Sequence, residues 1–214
     1  MVLGGRRLPI RIRFEIMKTL YLGPEYDLSH IEGDTCTFMD VAKLIDEKNT
    51  VAIFQGRSEA GPRALGNRSI LYDPRDPDGK DKVNKVKKRE AFRPFAGSIL
   101  LPYVHDWFDM AGLIESPFMM YAVDVLPDMA KYIPAILHVD NTCRIQTVTS
   151  QQNHNYYRLI DAFNQLTGTP ILFNTSFNLS GEPLVETPED ALETFEGSEL
   201  DYLYFPEVQK LRGK

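Results

Sequence analysis

TVAIFQGRSEAGPRALGNRSILYD, residues 50–73, decides how the chain is to be read. Its first five residues are β-branched or apolar and read as a buried strand that runs directly into Gly56. SILYD, residues 69–73, reads as a second strand. Between them lies a loop with three arginines (Arg57, Arg63, Arg68), three glycines (Gly56, Gly61, Gly66) and Pro62, which fits neither a helix nor a strand. Arginine stays charged and offers a planar fork that grips phosphate or carboxylate by two hydrogen bonds, while glycine lets backbone N–H groups come close. A strand, an irregular cationic loop and a strand predict an oxyanion site. Surface pairing of these arginines with Glu59 or nearby acids is the alternative reading of the loop alone.

Working outward, Thr37 predicts a helix cap, with Val41, Leu44 and Ile45 on the apolar face of a helix to about Lys48. DPRDPDGKD (73–81) is a turn feeding a helix near 80–90. A calcium-loop alignment on Gly79 fails, because it puts Pro74 first and Lys85 last where carboxylates are required. Strands are expected at 98–100, 118–125, 135–139, 144–149, 170–174 and, closing the chain, 201–205. A helix starts at Asn153 or Asn155, carries Tyr157, Leu159, Ile160, Phe163 and Leu166, and stops at Gly168. Thr187, Pro188 and Asp190 mark a capped helix through Phe195. The segments 135–139 and 144–149, joined by DNTC, read as a hairpin. The expectation is one α/β domain with a mixed rather than purely parallel sheet, flanked by helices.

Composition bounds the function. The 214 residues suit one core, and 43% hydrophobic with 25% charged residues indicates a globular chain. No apolar run is long enough for a membrane span, and MVLGGRRLPIRIRFEIMK lacks the features of a signal peptide, so a cytoplasmic protein with no membrane partner is expected. Cys36 and Cys143 are too few for a disulfide framework or a metal cluster and read as free thiols. The net charge of −6 is unevenly spread, with +5 between Arg57 and Arg93 and −11 elsewhere. A basic island in an acidic chain suits a local anionic ligand better than a surface that coats nucleic acid.

Two further clusters carry chemistry. In NKVKKREAFRPF (84–95), Lys85, Lys88 and Arg89 have the spacing of one helix face, and Arg93, set between Phe92 and Pro94–Phe95, is expected to be pinned toward a cleft. In HVDNTCRIQTV (138–148), strand alternation puts Arg144 and Gln146 on one face and Ile145 and Thr147 on the other. In FNTSFNLSGEP (173–183), Asn174, Thr175, Ser176 and Asn178 follow an apolar run where the chain leaves the sheet, a position from which short amides and hydroxyls can bind phosphates, ribose or base. Turn hydrogen bonding is the competing reading there. His138 beside Asp140 could be an oriented base. No second histidine stands at metal spacing, so no protein-built metal site is expected. No nucleophile has a base nearby in sequence, and no P-loop occurs.

GRSEAGPRALGNRSIL, NKVKKREAFRPF, HVDNTCRIQTV and TPILFNTSFNLSGEPLVETPEDAL, in this order, resemble the C-terminal domain of the nodulation-type and antibiotic-biosynthetic O-carbamoyltransferases, from Tyr21 to Phe205. The resemblance implies a YrdC-like fold over residues 21–214 behind an extension at 1–20, with the family's N-terminal metal-binding domain absent. It implies ATP, with Mg2+ held by its phosphates, and carbamoyl phosphate, joined into a carbamoyl-adenylate. A separate domain or chain would then pass the carbamoyl group to a hydroxyl-bearing acceptor. By motif position it implies that Arg63 and Arg93 clamp carbamoyl phosphate as the catalytic pair, with Arg57, Arg68, Ser69 and Arg89 around the same substrate. Lys85, His138, Asp140, Arg144, Gln146 and the Asn174, Thr175, Ser176 and Asn178 group would line the nucleotide. Because YrdC-like folds also serve tRNA modification, an RNA-binding module is the alternative, as is a non-catalytic partner domain.

Overall fold

The computed structural model describes residues 20–214; the extension expected at 1–20 falls almost wholly outside them. Ten strands form one sheet: β1 (Asp34–Thr35), β2 (Val51–Phe54), β3 (Arg68–Tyr72), β4 (Ala96–Leu100), β5 (Phe108–Asp109), β6 (Tyr121–Val125), β7 (Thr142–Val148), β8 (Ile171–Ser176), β9 (Tyr202–Phe205) and β10 (Lys210–Gly213). Their order is β1-β10-β9-β2-β3-β8-β4-β7-β6-β5. Parallel pairing of β2 with β9 and of β4 with β7 alternates with antiparallel pairs, giving the expected mixed sheet.

Among the described residues five α-helices accompany it: α1 (Phe38–Asp46), α2 (Gly79–Val86), α3 (Val104–Trp107), α4 (His154–Thr167) and α5 (Pro188–Glu196). Thr37 and Thr187 each accept a hydrogen bond from the backbone three residues on and receive the reciprocal carboxylate contact, so both helices start where the capping pattern places them. Gly168 ends α4 in the left-handed conformation, as anticipated. One sheet face is covered by α1 and α4, whose Val41, Ile45, Leu159, Ile160 and Phe163 pack on Val51, Ile53, Leu71 and Leu172. On the other face Val86 and the α5 residues Ala191 and Phe195 pack on Ala52, Phe54, Ile70 and Leu203.

Several expectations are corrected. Residues 135–139 form no strand. Ala135 and Ile136 are consecutive and both buried, which strand alternation forbids on a one-sided surface, and their backbone turns through bonds from Ile136 N and Leu137 N to the carbonyl of Ile133. The hairpin partner of β7 is therefore β6, and its second neighbour is β4. The strand expected at 118–125 begins only at Tyr121, and β10 follows the segment expected to close the chain. The helix expected over 80–90 stops at Val86. Lys88 takes a left-handed φ of +53°, its N–H bonds Lys85 O (3.0 Å) and the N–H of Arg89 bonds Asn84 O (3.1 Å), a Schellman end with lysine in the usual glycine place. Lys85, Lys88 and Arg89 thus do not share a helix face.

Candidate functional site

The polar residues collect at one end of the sheet, where β2 and β8 finish and β3, β4 and β7 begin. Residues 56–67 fold back over this end, and the pins that hold them are specific. Glu59 is buried, and its carboxylate accepts N–H bonds from Leu65 (2.7 Å), Asn67 (2.7 Å) and Arg68 (3.1 Å). Burial pushes its pKa up and these N–H groups pull it back. Gly66 donates to Ser69 Oγ at 3.1 Å and its carbonyl accepts from Gln55 Nε2 at 2.8 Å. From below, Gln146 Nε2 donates to Leu65 O (3.0 Å) and Asn174 Nδ2 to Ala64 O (3.2 Å). Ser98 joins those two side chains, donating to Gln146 Oε1 at 2.8 Å and accepting from Asn174 at 2.9 Å.

Four arginines converge on this end, in different degrees of burial. Arg144 sits in β7 opposite Ala96 of β4, and Ala96 is opposite Asn174 of β8, so all three side chains share a face. Burial and then Arg63 lower the pKa of the Arg144 guanidinium. Arg89 lies over the Phe95 ring at 4.1 Å and is held by Asn84 Oδ1 at 2.7 Å. It is pushed down to about 10 by burial and by Arg93, with Arg144 adding to the effect. Arg93 stands at the solvent rim, its Nε 2.9 Å from Glu90, and is not pinned: Phe92 beside it is 76% exposed. Arg63 Nε, Arg89 Nη2 and Arg144 Nε are buried donors with no hydrogen-bond acceptor among the described residues. Like charges brought together with unspent donors are the arrangement that an oxyanion would relieve, since an acceptor there removes both costs.

The other expected site residues separate. Arg68 is fully buried on the opposite sheet face, 3.5 Å over the Phe54 ring, and its guanidinium donates to the carbonyls of Gln55 (2.6 Å), Gly56 (3.1 Å), Glu186 (3.1 Å) and Asn67 (3.3 Å), with Nε left over the ring without an acceptor among the described residues. It ties the loop's two ends together from behind. Ser69 is buried and engaged with Gly66. Arg57 pairs with Glu25 at 3.1 Å on the surface. Lys85 is largely exposed and pairs with Glu199 at 3.0 Å, away from the arginines. His138 bonds Thr142 Oγ1 at 3.1 Å within the turn that enters β7 and Phe95 O at 3.0 Å ahead of β4, while Asp140 accepts from Thr142. Asp140 does not orient the ring directly. Thr175 faces the other side of the sheet from Asn174.

Ser176 and Asn178 come together around a residue the sequence did not single out. Lys87 is buried, and its Nζ donates to Ser176 O (2.6 Å), Asn178 O (2.9 Å) and Asn178 Oδ1 (2.9 Å), with Ser176 Oγ at 3.2 Å. Burial, then Arg89, pushes its pKa down to about 7. Glu59, Lys87 and Ser98 were missed because nothing local marks them. Lys87 is one of four cations in a run of five residues, and only burial tells it from its neighbours.

The family model for the carbamoyltransferase C-terminus matches residues 42–210. The chain belongs to this family. It is 45% identical over 178 residues to the nodulation protein NolNO of Sinorhizobium fredii, covering 81% of this chain and 26% of that protein. With NolO of Bradyrhizobium diazoefficiens it shares 49% over 151 residues, 70% of this chain and 28% of that one. A Synechocystis protein, sll1178, is 40% identical over 88% of this chain and 36% of its own length. The chain thus spans about a quarter to a third of these relatives. Among solved structures, T. kodakarensis HypF matches with a TM-score of 0.53 at 18% identity, over 82% of this chain and 23% of that one. P. abyssi Sua5 complexed with L-threonine matches with 0.54 at 14%, over 78% and 50%. These likenesses establish the YrdC-like fold. No helix among the described residues is long and apolar enough to cross a membrane.

Proposed function

We propose that the domain binds carbamoyl phosphate and ATP side by side at the arginine end of the sheet and joins them into carbamoyl-adenylate, for transfer to a hydroxyl-bearing acceptor held by another domain or chain. The observation that carries this reading is the set of three buried, acceptor-free guanidinium nitrogens on Arg63, Arg89 and Arg144. A single phosphate with three acceptor oxygens could engage all of them. ATP supplies the α-phosphorus for attack by the carbamate oxygen, which is freed when water takes the phosphoryl group of carbamoyl phosphate, so that phosphate and pyrophosphate leave.

The chain's own residues act by position and charge. Arg63, Arg89 and Arg144 hold the carbamoyl-phosphate phosphate, and their fixed guanidinium groups stabilise negative charge developing there without reorganising. Arg93 at the rim is placed for the ATP phosphates, and Ser176 and Asn178, fixed by Lys87, for the nucleotide. Ser176 Oγ donates to Asn178 Oδ1 at 2.6 Å and Lys87 holds both residues, so the turn that would face the nucleotide is held rigid. Mg2+ would be carried by the phosphates.

Incubation of the purified chain with ATP and carbamoyl phosphate should release pyrophosphate, and inorganic phosphate should raise Tm. Arg144→Met removes one like charge from the cluster, so it should leave the ligand-free fold as stable as wild type or more so while erasing the phosphate-dependent rise. A fall in ligand-free Tm would make Arg144 structural, and no pyrophosphate together with no phosphate effect would overturn the proposal.

A further inference from the structure

Every group of the arginine cluster is a donor, yet one buried acceptor stands beside it. Asn174 occupies the row Asn174–Ala96–Arg144 on a single sheet face, two strands from Arg144, and Leu65 and Met119 pack in one cluster with the Ala96 that separates them. Neighbouring strands are about 4.8 Å apart, so the Asn174 and Arg144 backbones lie about 10 Å from each other.

The orientation of the Asn174 amide is fixed by its partners. Nδ2 lies 3.2 Å from Ala64 O, which can only accept, and 2.9 Å from Ser98 Oγ, whose proton is directed at Gln146 Oε1. Flipping the amide would set oxygen against oxygen, so Oδ1 points away from these groups. The side chain is 1% exposed, and Oδ1 is buried with no donor among the described residues. Leaving such an acceptor unmatched is costly, and a phosphate, being itself an acceptor, cannot match it. What matches it is an N–H at the acyl end of a ligand whose phosphate sits on the arginines.

We propose that Asn174 Oδ1 accepts an N–H of the carbamoyl group and thereby selects an amide-bearing acyl phosphate over its methyl counterpart. The assignment rests on the carbamoyl-phosphate reading of the arginine site. A site built to hydrogen-bond an N–H rejects the isostere lacking it, because its own polar group is then left buried and unpaired. Asn174 is a specificity residue in this role, and its Nδ2 separately secures the loop.

Two hydrolytically inert probes differ only at this point: phosphonoacetamide carries NH2 on the acyl carbon where acetonylphosphonate carries CH3. Titration calorimetry on the wild-type chain should show phosphonoacetamide binding at least about tenfold more tightly, the loss expected for one unmatched buried hydrogen bond. Both should lose affinity together in Arg144→Ala. Asn174→Leu should reduce the preference to about unity, whatever it does to the affinity that both probes share. Equal wild-type affinities, or a preference that survives Asn174→Leu, would overturn the Asn174 assignment and leave the arginine site standing. Failure of both probes to bind at all would instead remove the arginine-site reading on which it depends. The wild-type comparison decides the matter even if Asn174→Leu does not fold.

Discussion

Gly66→Ala tests whether residues 56–67 are pressed onto the helix beneath them. Gly66 has φ +103°, and a methyl group added there would lie 2.2 Å from Tyr156 Cδ1, 2.6 Å from Cγ and 2.8 Å from Cε1. Tyr156 is fully buried in α4, and Gly66 is tethered on both sides, to Ser69 Oγ and Gln55 Nε2, so neither partner can yield cheaply. Positive φ at a non-glycine costs about 1–2 kcal/mol and overpacking a buried ring about 1–3 kcal/mol, so the loss should be about 2–5 kcal/mol. That is a large share of the roughly 5–15 kcal/mol typical of a domain. Gly61→Ala is the control, since Gly61 has φ +113° with nothing within 4 Å of the added methyl, leaving only the conformational cost of about 1–2 kcal/mol. Urea denaturation of both variants isolates the ring contact, and the pair Gly66→Ala with Tyr156→Leu should lose less than the sum of the two single changes. If Gly66→Ala is no more harmful than Gly61→Ala, the loop does not rest on Tyr156 and the pinning described above is wrong.

Lys88 occupies the left-handed position that ends α2, so Lys88→Gly should stabilise the fold by about 0.5–1 kcal/mol in the same denaturation assay, and a destabilisation would show that its side chain matters more than its backbone. Lys87 offers a pH signature. Its folded pKa of about 7 lies below the unfolded value of about 10.4, so between those pH values the unfolded chain binds the extra proton and folding gains stability as pH rises. The stability of wild type relative to Lys87→Met should therefore increase from pH 7 toward pH 10 and be level below pH 7. A gap that stays flat across that range would mean that the oxygens of Ser176 and Asn178 hold Lys87 as an ordinary ammonium.

Local chemistry made much of this protein legible in its sequence. Thr37 and Thr187 can cap without help from the rest of the chain, Gly168 can end a helix because it lacks a Cβ, and period-two alternation puts Arg144 and Gln146 on one face wherever that strand pairs. The cationic loop between two strands and the concentration of positive charge between Arg57 and Arg93 were visible for the same reason, since charge and loop geometry are written locally. Strand partners are not. The apolar segment 135–139 has strand composition, but its consecutive buried residues turn against the sheet, with Ile136 Cδ1 only 2.6 Å from where a Cβ on Gly97 would stand. Pairing of β7 with β4 and β6 joins segments tens of residues apart, and no local propensity encodes it. The fate of each charge was also decided only in three dimensions. Lys85 and Lys87 are two residues apart in one basic run, yet one meets Glu199 in solvent and the other is buried against Ser176 and Asn178. Arg63 and Arg68 share one loop motif, yet Arg68 packs over the Phe54 ring and bonds four backbone carbonyls behind the loop, while Arg63 stands near Arg144 among like charges. The sequence by itself determined that this end of the molecule would be cationic; burial and hydrogen-bond supply, which depend on the whole packed chain, decided which cations hold the fold and which are left to meet a ligand.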